Sequence, residues 1–413
     1  MISITPVRLA LVPVDSAAAV RLSAPNYDEF QSDREIWEMI RARPDNILRV
    51  TMAHCAVPSF EDVGEGDTPA SLARASQNMA SLKASDLVRE VSDVLYVYEI
   101  MSPKRGGVRQ IGLGGLATTA EIRTDAQPTG TIVRNEGIRE SKARGRANLI
   151  SATHALIGTV NNAVADEHGV FRTALEAHAD QTPPDLEVTD EHGNRHRIWL
   201  LTEPGKVGRF QELLAAEPLA FVADGNHRSA AAAMLGCEHF LAVFFPASTM
   251  GISPYNRLVQ DVTPLKDLSA ALAPSFEVAA YDGESAFQPT RTHEIAVYGV
   301  TEGWLRLRPK AGTFDPADAG ESIDHDIVQR RIFRDVLGIT DARDGRLNFV
   351  GANKDAEWLQ QEVDQGRATY ALTLPAVTMA QFMDVCLQGK MMPPKSTWFE
   401  PKIRSGLVMA LLD

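Results

Sequence analysis

The chain has 413 residues, 44% of them hydrophobic and 23% charged, with 41 basic and 54 acidic side chains for a formal charge of −13. That length allows two or three domains and a sizeable core. The acidic balance argues against wrapping nucleic acid, which needs clustered Lys and Arg, but permits a locally basic pocket for a small anion.

Residues 1–25 read as an apolar, strand-like start ending in a turn at Ser23-Ala24-Pro25. Residues 31–43 show a helical period, with Ile36, Met39 and Ile40 on one face. Pro44-Asp45-Asn46 stops that helix and Ile47–Val50 resumes as a short strand. Residues 58–80 form a polar loop leading into a helix near 68–92, and the β-branched and aromatic run 94–100 is a strand. A turn follows, then a second strand holding Gly112, Gly114 and Gly115, read as strand or bulge glycines because no P-loop pattern follows them. Residues 138–165 are a helix candidate, 166–206 alternate short strands and turns, and 210–217 are a short helix. An apolar strand at 219–224 opens into an Ala-rich helix, and 241–248 is another buried strand. Strands fall near 294–300 and 303–309. The last block alternates a helix (326–337), a strand (346–351), a helix (354–364), a strand (368–373) and a helix (377–388) before a Pro-rich tail.

This alternation predicts an α/β (α+β) protein with mixed sheets and flanking helices. Three blocks are expected: an N-terminal α/β region over 1–125, a core over 126–262, and a C-terminal α/β region over 263–413 packed on the core. Three well-separated cysteines, Cys55, Cys237 and Cys386, argue against a disulfide framework or zinc site; Cys237 reads as a small buried apolar residue. No signal-peptide pattern opens the sequence and no apolar run reaches membrane-spanning length, so a cytoplasmic protein with no membrane or nucleic-acid partner is expected.

The strongest local signal is FVADGNHRSAAAAM. Strand ends in α/β sheets are where ligands sit, and a helix N-terminus with unpaired N–H groups suits an anion such as phosphate. Gly225 lets backbone approach closely, and Arg228 can grip phosphate with two parallel hydrogen bonds. His227 can donate to phosphate or shuttle a proton, and Asp224 can hold a metal ion or accept a proton. The plain alternative is a strand–turn–helix in which Asp224 is an N-cap and Arg228 is solvated. The second signal is residues 130–149, with Arg134, Arg139, Lys142, Arg144 and Arg146 around Glu136 and Glu140. Lys142 and Arg146 share a helical face, although a solvated charged face is the bland reading. The third is the tail 391–409, where two prolines precede Lys395, Ser396 and Thr397. His325 between Asp324 and Asp326 reads as part of a helix start.

Together these segments resemble the DUF1015 family (domain of unknown function 1015). Its signature is D-G-H-H-R, with an earlier H-E and D-R pair and a closing M-P-P-K-S-T-[YF]-F-x-P-K. The matches are Asp224-Gly225-Asn226-His227-Arg228, Glu136, Arg146, and Met392 through Lys402; Pro25-Asn26-Tyr27-Asp28, Tyr255-Asn256-Arg257 and Ile323-Asp324 fall where the family carries similar residues. The resemblance spans nearly the whole chain. It implies a ParB/sulfiredoxin-like catalytic core similar to free-serine kinases that use pyrophosphate as donor or run that exchange in reverse. The chain departs from the pattern at Asn226, Asn135 and Ser229, which replace two histidines and a tyrosine.

The expected function is therefore phosphoryl transfer to a small-molecule hydroxyl, free L-serine first, from pyrophosphate, ATP or ADP. A phosphatase of a small phosphoester and a nucleotide-binding regulator are the alternatives. The expected catalytic residues are Glu136 as base, Asp224, and His227. Phosphate and substrate would be held by Arg134, Lys142, Arg146, Gly225, Asn226, Arg228, Asn256, Arg257, Lys395, Ser396 and Thr397. The resemblance adds Mg2+, with Asp224 as its ligand, and a homodimer is an open expectation. Arg146, Arg228 and Lys395 are expected to enclose one oxyanion beside a carboxylate from Glu136 or Asp224.

Overall fold

The computed structural model describes residues 1–412, the side chain of Asp28 excepted. The last side chain of the opening Pro25–Asp28 motif thus lies outside the described residues. The chain folds into two compact units. The first comprises Met1–Arg134, Ile138–Met250 and Pro401–Asp413; the second comprises Asn135–Gly137 and Gly251–Glu400. These units do not coincide with blocks divided at 125 and 262, because strand pairing ignores chain order. Met409–Leu411, at the C-terminus, is hydrogen-bonded between Val7–Pro13 and Ala155–Leu156.

The first unit is built on a twelve-stranded sheet. Its main path runs Ile132–Arg134, Ala220–Asp224, Val160–Val164, His239–Pro246, Arg109–Thr118, Val88–Met101, Val7–Pro13, Met409–Leu411, Ala155–Leu156. Ala220–Asp224 is parallel to Ile132–Arg134 and antiparallel to Val160–Val164; His239–Pro246 is parallel to Val160–Val164. The sheet is therefore mixed, with flanking helices, as the alternating pattern predicts. Gly114 is in register with both neighbouring strands, Gly112 with Val88–Met101 and Gly115 with His239–Pro246, with no shift at any of them, so they are strand glycines rather than bulges. They make room: a Cβ on Gly114 would lie 2.1 Å from the Tyr96 ring, and one on Gly112 would lie 2.5 Å from the Phe244 carbonyl.

Several expected elements differ. Ser16–Leu22 is helical, opened by Asp15, whose side chain accepts from Ala18 N. Leu48–Thr51 is a helical turn rather than a strand, with Asn46 Oδ1 accepting from Leu48 N at 2.9 Å. The helix expected over 138–165 is Glu140–Thr153, ended by His154 in the left-handed region; Ala155–Leu156 and Val160–Val164 are strands. Val170–Gln181 is a helix where turns were expected, with Phe171, Leu175 and Ala179 buried at every fourth residue. The Asp166 carboxylate fixes its start, accepting from Phe171 N and Arg172 N at 3.0 and 2.9 Å.

The second unit carries a six-stranded antiparallel sheet in the order Phe276–Ala280, Gly303–Pro309, Ile295–Gly299, Tyr370–Thr373, Asn256–Val259, Leu347–Val350. Successive side chains alternate between its faces. Val259, Val297 and Leu305 enter one apolar cluster, while Leu258, Ala296 and Trp304 enter another. Both faces are covered, so these strands read as continuous apolar runs. No helix among the described residues is long and apolar enough to cross a membrane. The three cysteines are free; Cys237 is half-exposed rather than buried.

Candidate functional site

In the first unit, the strand Ala220–Asp224 ends in a register shift between Val222 and Asp224. Gly225 then takes φ 107° at the start of the helix Asn226–Met234. A Cβ there would lie 3.2 Å from Val160 Cα and 3.1 Å from Arg228 Nε. Glycine is required by both the positive φ and the close approach. The buried Ala230, Ala231 and Ala232 let the helix lie tightly on the unit.

This end is ionic and largely dehydrated. Arg228 Nη2 pairs with Asp224 Oδ1 at 3.0 Å, and Lys402 Nζ pairs with Asp224 Oδ2 at 3.2 Å. Arg228 Nη1 also donates to the Thr159 carbonyl. The side chains of Arg228 and Lys402 are 7% and 9% exposed. Gly158 leaves room for the arginine: a Cβ there would lie 2.8 Å from Arg228 Cδ. Asp224 is therefore not a helix cap and Arg228 is not solvated. Two cations share the Asp224 carboxylate where little water screens them. Lys402 lies in the closing motif but was not among the expected phosphate ligands; only its basic charge signalled it.

Asp224 does not fit the expected role of magnesium ligand, because each of its oxygens faces a cation. Among the described residues the one trio of metal-ligating groups within reach of each other is Asp33, His54 and Cys55. That nitrogen- and sulfur-containing set is wrong for a hard ion that selects oxygen. His227 Nε2 accepts from Arg139 N at 3.0 Å, so the imidazole fixes the start of the helix Glu140–Thr153.

Flanking strands bring up Arg134, which the sequence reading expected, and two asparagines that it missed. Val222 lies in register between Arg134 and Asn162, and Asp224 lies opposite Asn161. Asn161 and Asn162 are 2% and 0% exposed, and neither Oδ1 has a hydrogen-bond partner among the described residues. Arg134 Nε is likewise buried and unpartnered, and burial lowers its guanidinium to about 10. Buried polar groups are normally satisfied. The available signal was two consecutive asparagines inside an apolar strand, VNNAV.

Lys142 and Arg146 lie on the helix Glu140–Thr153, as expected. The Arg146 guanidinium stacks on the Tyr27 ring at 3.5 Å, and Nη1 donates to the Thr51 carbonyl at 3.5 Å. Arg146 and Arg228 line one cavity, otherwise largely apolar, with Leu149, Ile157 and Phe240. Lys142 lines a different cavity, which Arg146 also borders.

In the second unit, Asn135–Gly137 is tied to the tail motif. Met392 N donates to the Asn135 carbonyl at 2.9 Å, and Asn135 Nδ2 donates to Thr397 Oγ1 at 3.5 Å. Lys395 N donates to Glu136 Oε2 at 3.4 Å, and Lys395 adopts φ 58°. Such backbone strain in a non-glycine residue clusters at functional sites. Arg257 is buried and reaches the Pro394 carbonyl at 3.0 Å; Arg343 Nη2 reaches the Gly137 carbonyl at 3.0 Å. Burial raises the Glu136 carboxyl against the opposing pull of Lys395, Arg343 and Arg257. Two expected ligands make hydrogen bonds within the unit. Asn256 bonds Gln288 and Leu374 N, and Ser396 Oγ donates to the Pro393 carbonyl at 2.7 Å. His325, reaching the Tyr255 carbonyl at 3.1 Å, is pushed down to about 3 by burial and by Arg257.

The structure thus groups Asp224, Gly225, Asn226, His227, Arg228, Arg134, Lys142 and Arg146 in the first unit. Glu136, Asn256, Arg257, Lys395, Ser396 and Thr397 belong to the second.

The family model for "Protein of unknown function (DUF1015)" matches residues 4–331. No curated protein matches the chain. Among solved structures, the chain is similar to a free serine kinase in complex with AMP, at 13% identity over 65% of this chain and 83% of that one, TM-score 0.37. It is also similar to a conserved hypothetical protein from Pyrococcus furiosus, at 13% identity over 66% and 89%, TM-score 0.35. SbnI with C-terminal truncation from Staphylococcus aureus aligns at 12% identity over 70% and 82%, TM-score 0.36.

Proposed function

This chain belongs to the DUF1015 family, and from that premise we propose that it is a phosphotransferase acting on the hydroxyl of a small molecule. The observation that supports this most is the dehydrated pair Arg228 and Lys402, gathered on Asp224 at the end of a strand and the start of a helix. Cations fixed at a helix N-terminus suit a transferring phosphoryl group, since positioning and charge neutralisation supply most of the rate. The resemblance of the DUF1015 family to free-serine kinases makes free L-serine the acceptor to try first. Pyrophosphate, ADP and ATP are the donors.

In the proposed reaction the acceptor O–H gives its proton to the Glu136 carboxylate. Its oxygen forms the new bond to phosphorus as the donor's bridging P–O bond breaks. The electron pair leaves on the departing phosphate. Burial that raises Glu136 suits it to this task, because a base works best when its pKa approaches the working pH. No step is assigned to magnesium.

A phosphorus NMR screen of the three donors against serine and related hydroxy amino acids tests the reading. A phosphorylated amino acid is the expected product, and Glu136→Gln lowers its formation at least about 100-fold. Phosphate release without that product would make the protein a hydrolase. Tight nucleotide binding without any turnover would make it a binding protein.

A further inference from the structure

The Pro394 carbonyl and the Lys395 N–H belong to one planar peptide unit, and in the trans arrangement they point in opposite directions. On one side Arg257 Nη2 donates to the Pro394 carbonyl at 3.0 Å. On the other, the Lys395 N–H donates to Glu136 Oε2 at 3.4 Å. Whatever turns the carbonyl turns the N–H with it. Arg257 is itself fixed. Its Nη1 donates to the Tyr255 and Asn256 carbonyls at 3.0 and 3.1 Å, and the guanidinium lies 4.6 Å from the Phe349 ring centroid. His325 Nε2 donates to the same Tyr255 carbonyl at 3.1 Å. Among the described residues every hydrogen bond of Arg257 goes to main chain, and the residue is 3% exposed. Little of this guanidinium is left for a phosphate to grip. All of these groups belong to the second unit.

The turn beside Arg257 needs such a hold. Lys395 takes φ 58°, which a non-glycine residue keeps only where its surroundings impose it. Pro393 and Pro394 stiffen the approach, and Ser396 Oγ closes the turn on the Pro393 carbonyl at 2.7 Å. We infer that Arg257 is a positioning residue, acting on Glu136 through the Pro394–Lys395 peptide and not as a ligand of phosphate. Its consequence for rate rests on the reading of Glu136 as the base. A hydrogen bond to a carbonyl polarises its peptide, which makes the N–H opposite a better donor. A donor to a carboxylate favours the charged form. Burial raises the Glu136 carboxyl; the Lys395 charge opposes this most, then the Lys395 N–H, with the charges of Arg343 and Arg257 behind. The N–H that Arg257 orients thus outweighs the charge of Arg257 itself.

Carbon-13 NMR of the full chain labelled at the glutamate carboxyl carbon tests this, the Glu136 resonance being the one missing from Glu136→Gln. Hydrogen exchange of the Lys395 amide is followed alongside. The variants are Arg257→Gln and Arg257→Lys, each checked for folding by circular dichroism. Neither has the planar fork that joins the Pro394 carbonyl to those of Tyr255 and Asn256. In each, Glu136 should titrate at a pH at least about 0.5 higher than in wild type, and the Lys395 amide should exchange at least about tenfold faster. Where phosphoserine forms, kcat should fall at least about tenfold, because the base is no longer held in place, with the donor KM within about threefold. Unchanged titration and exchange in either folded variant would overturn the proposal. So would a raised donor KM with unchanged kcat, which marks a direct phosphate ligand, or a wild-type Lys395 amide that exchanges without protection. The NMR shifts in a chain that turns nothing over would uphold the positioning and remove the transfer reaction.

Discussion

Glu136 is a carboxyl whose ordinary pKa of 4.5 is raised by burial, although Lys395, Arg343 and Arg257 pull it back down. If it is the base, the rate falls on the acid side with an apparent pKa above 4.5, because only the carboxylate accepts the proton. A pH–rate profile lacking that limb would remove Glu136 from the role. His325 makes a different prediction. Its folded pKa of about 3 lies below the ordinary 6.5, so between those values the unfolded chain binds more protons than the folded one. Its contribution to stability is complete above pH 6.5 and is lost as pH falls toward 3. His325→Gln, which keeps a donor for the Tyr255 carbonyl, should lose less stability over that interval than wild type in urea titrations. Identical acid limbs would contradict the assignment. These effects were only half legible. The residue types around positions 136, 228 and 395 are plain in the sequence. That Arg257 clamps the Pro394 carbonyl, or that Lys402 pairs with Asp224 178 residues away, depends on folding that no local spacing encodes.

At the scale of elements, the strand-to-helix corner at Gly225 is the part the sequence announced most clearly. An apolar run, an Asp-Gly pair and an alanine run are each diagnostic, and the structure has Ala220–Asp224 followed by Asn226–Met234. Gly225→Ala should cost about 1–3 kcal/mol, from the strained φ together with contacts to Val160 and Arg228. Denaturant unfolding reads that cost, and an unchanged midpoint would mean the corner relaxes freely. Elsewhere local propensity was overridden. Ile47–Val50 is rich in strand formers, yet the Asn46 side chain and burial of Leu48 and Val50 make it a helical turn. The Val170–Gln181 helix had a readable four-residue apolar period, but its start is fixed by Asp166, a residue that reads as turn-forming. The strand Val160–Val164 was hidden because two asparagines interrupt its apolar pattern.

For the whole molecule, the alternation of strand and helix patterns set the class correctly: mixed sheets with helices, in a chain long enough for more than one unit. The division itself was not legible. The second unit takes three residues, Asn135–Gly137, from the middle of a segment otherwise belonging to the first. The bridge between Glu136 and Met392 that secures them joins positions 256 apart in sequence. The net charge of −13 likewise conceals a corner where two buried cations, Arg228 and Lys402, meet on Asp224. Phosphoryl transfer by the intact chain is therefore the claim on which most depends. The most direct measurement follows isotopic phosphate from labelled pyrophosphate, ADP or ATP into free serine, in wild type and Glu136→Gln. Label in phosphoserine with wild type, reduced at least about 100-fold in the variant, is the predicted result. Label recovered only as inorganic phosphate, or equal transfer by both proteins, would contradict it.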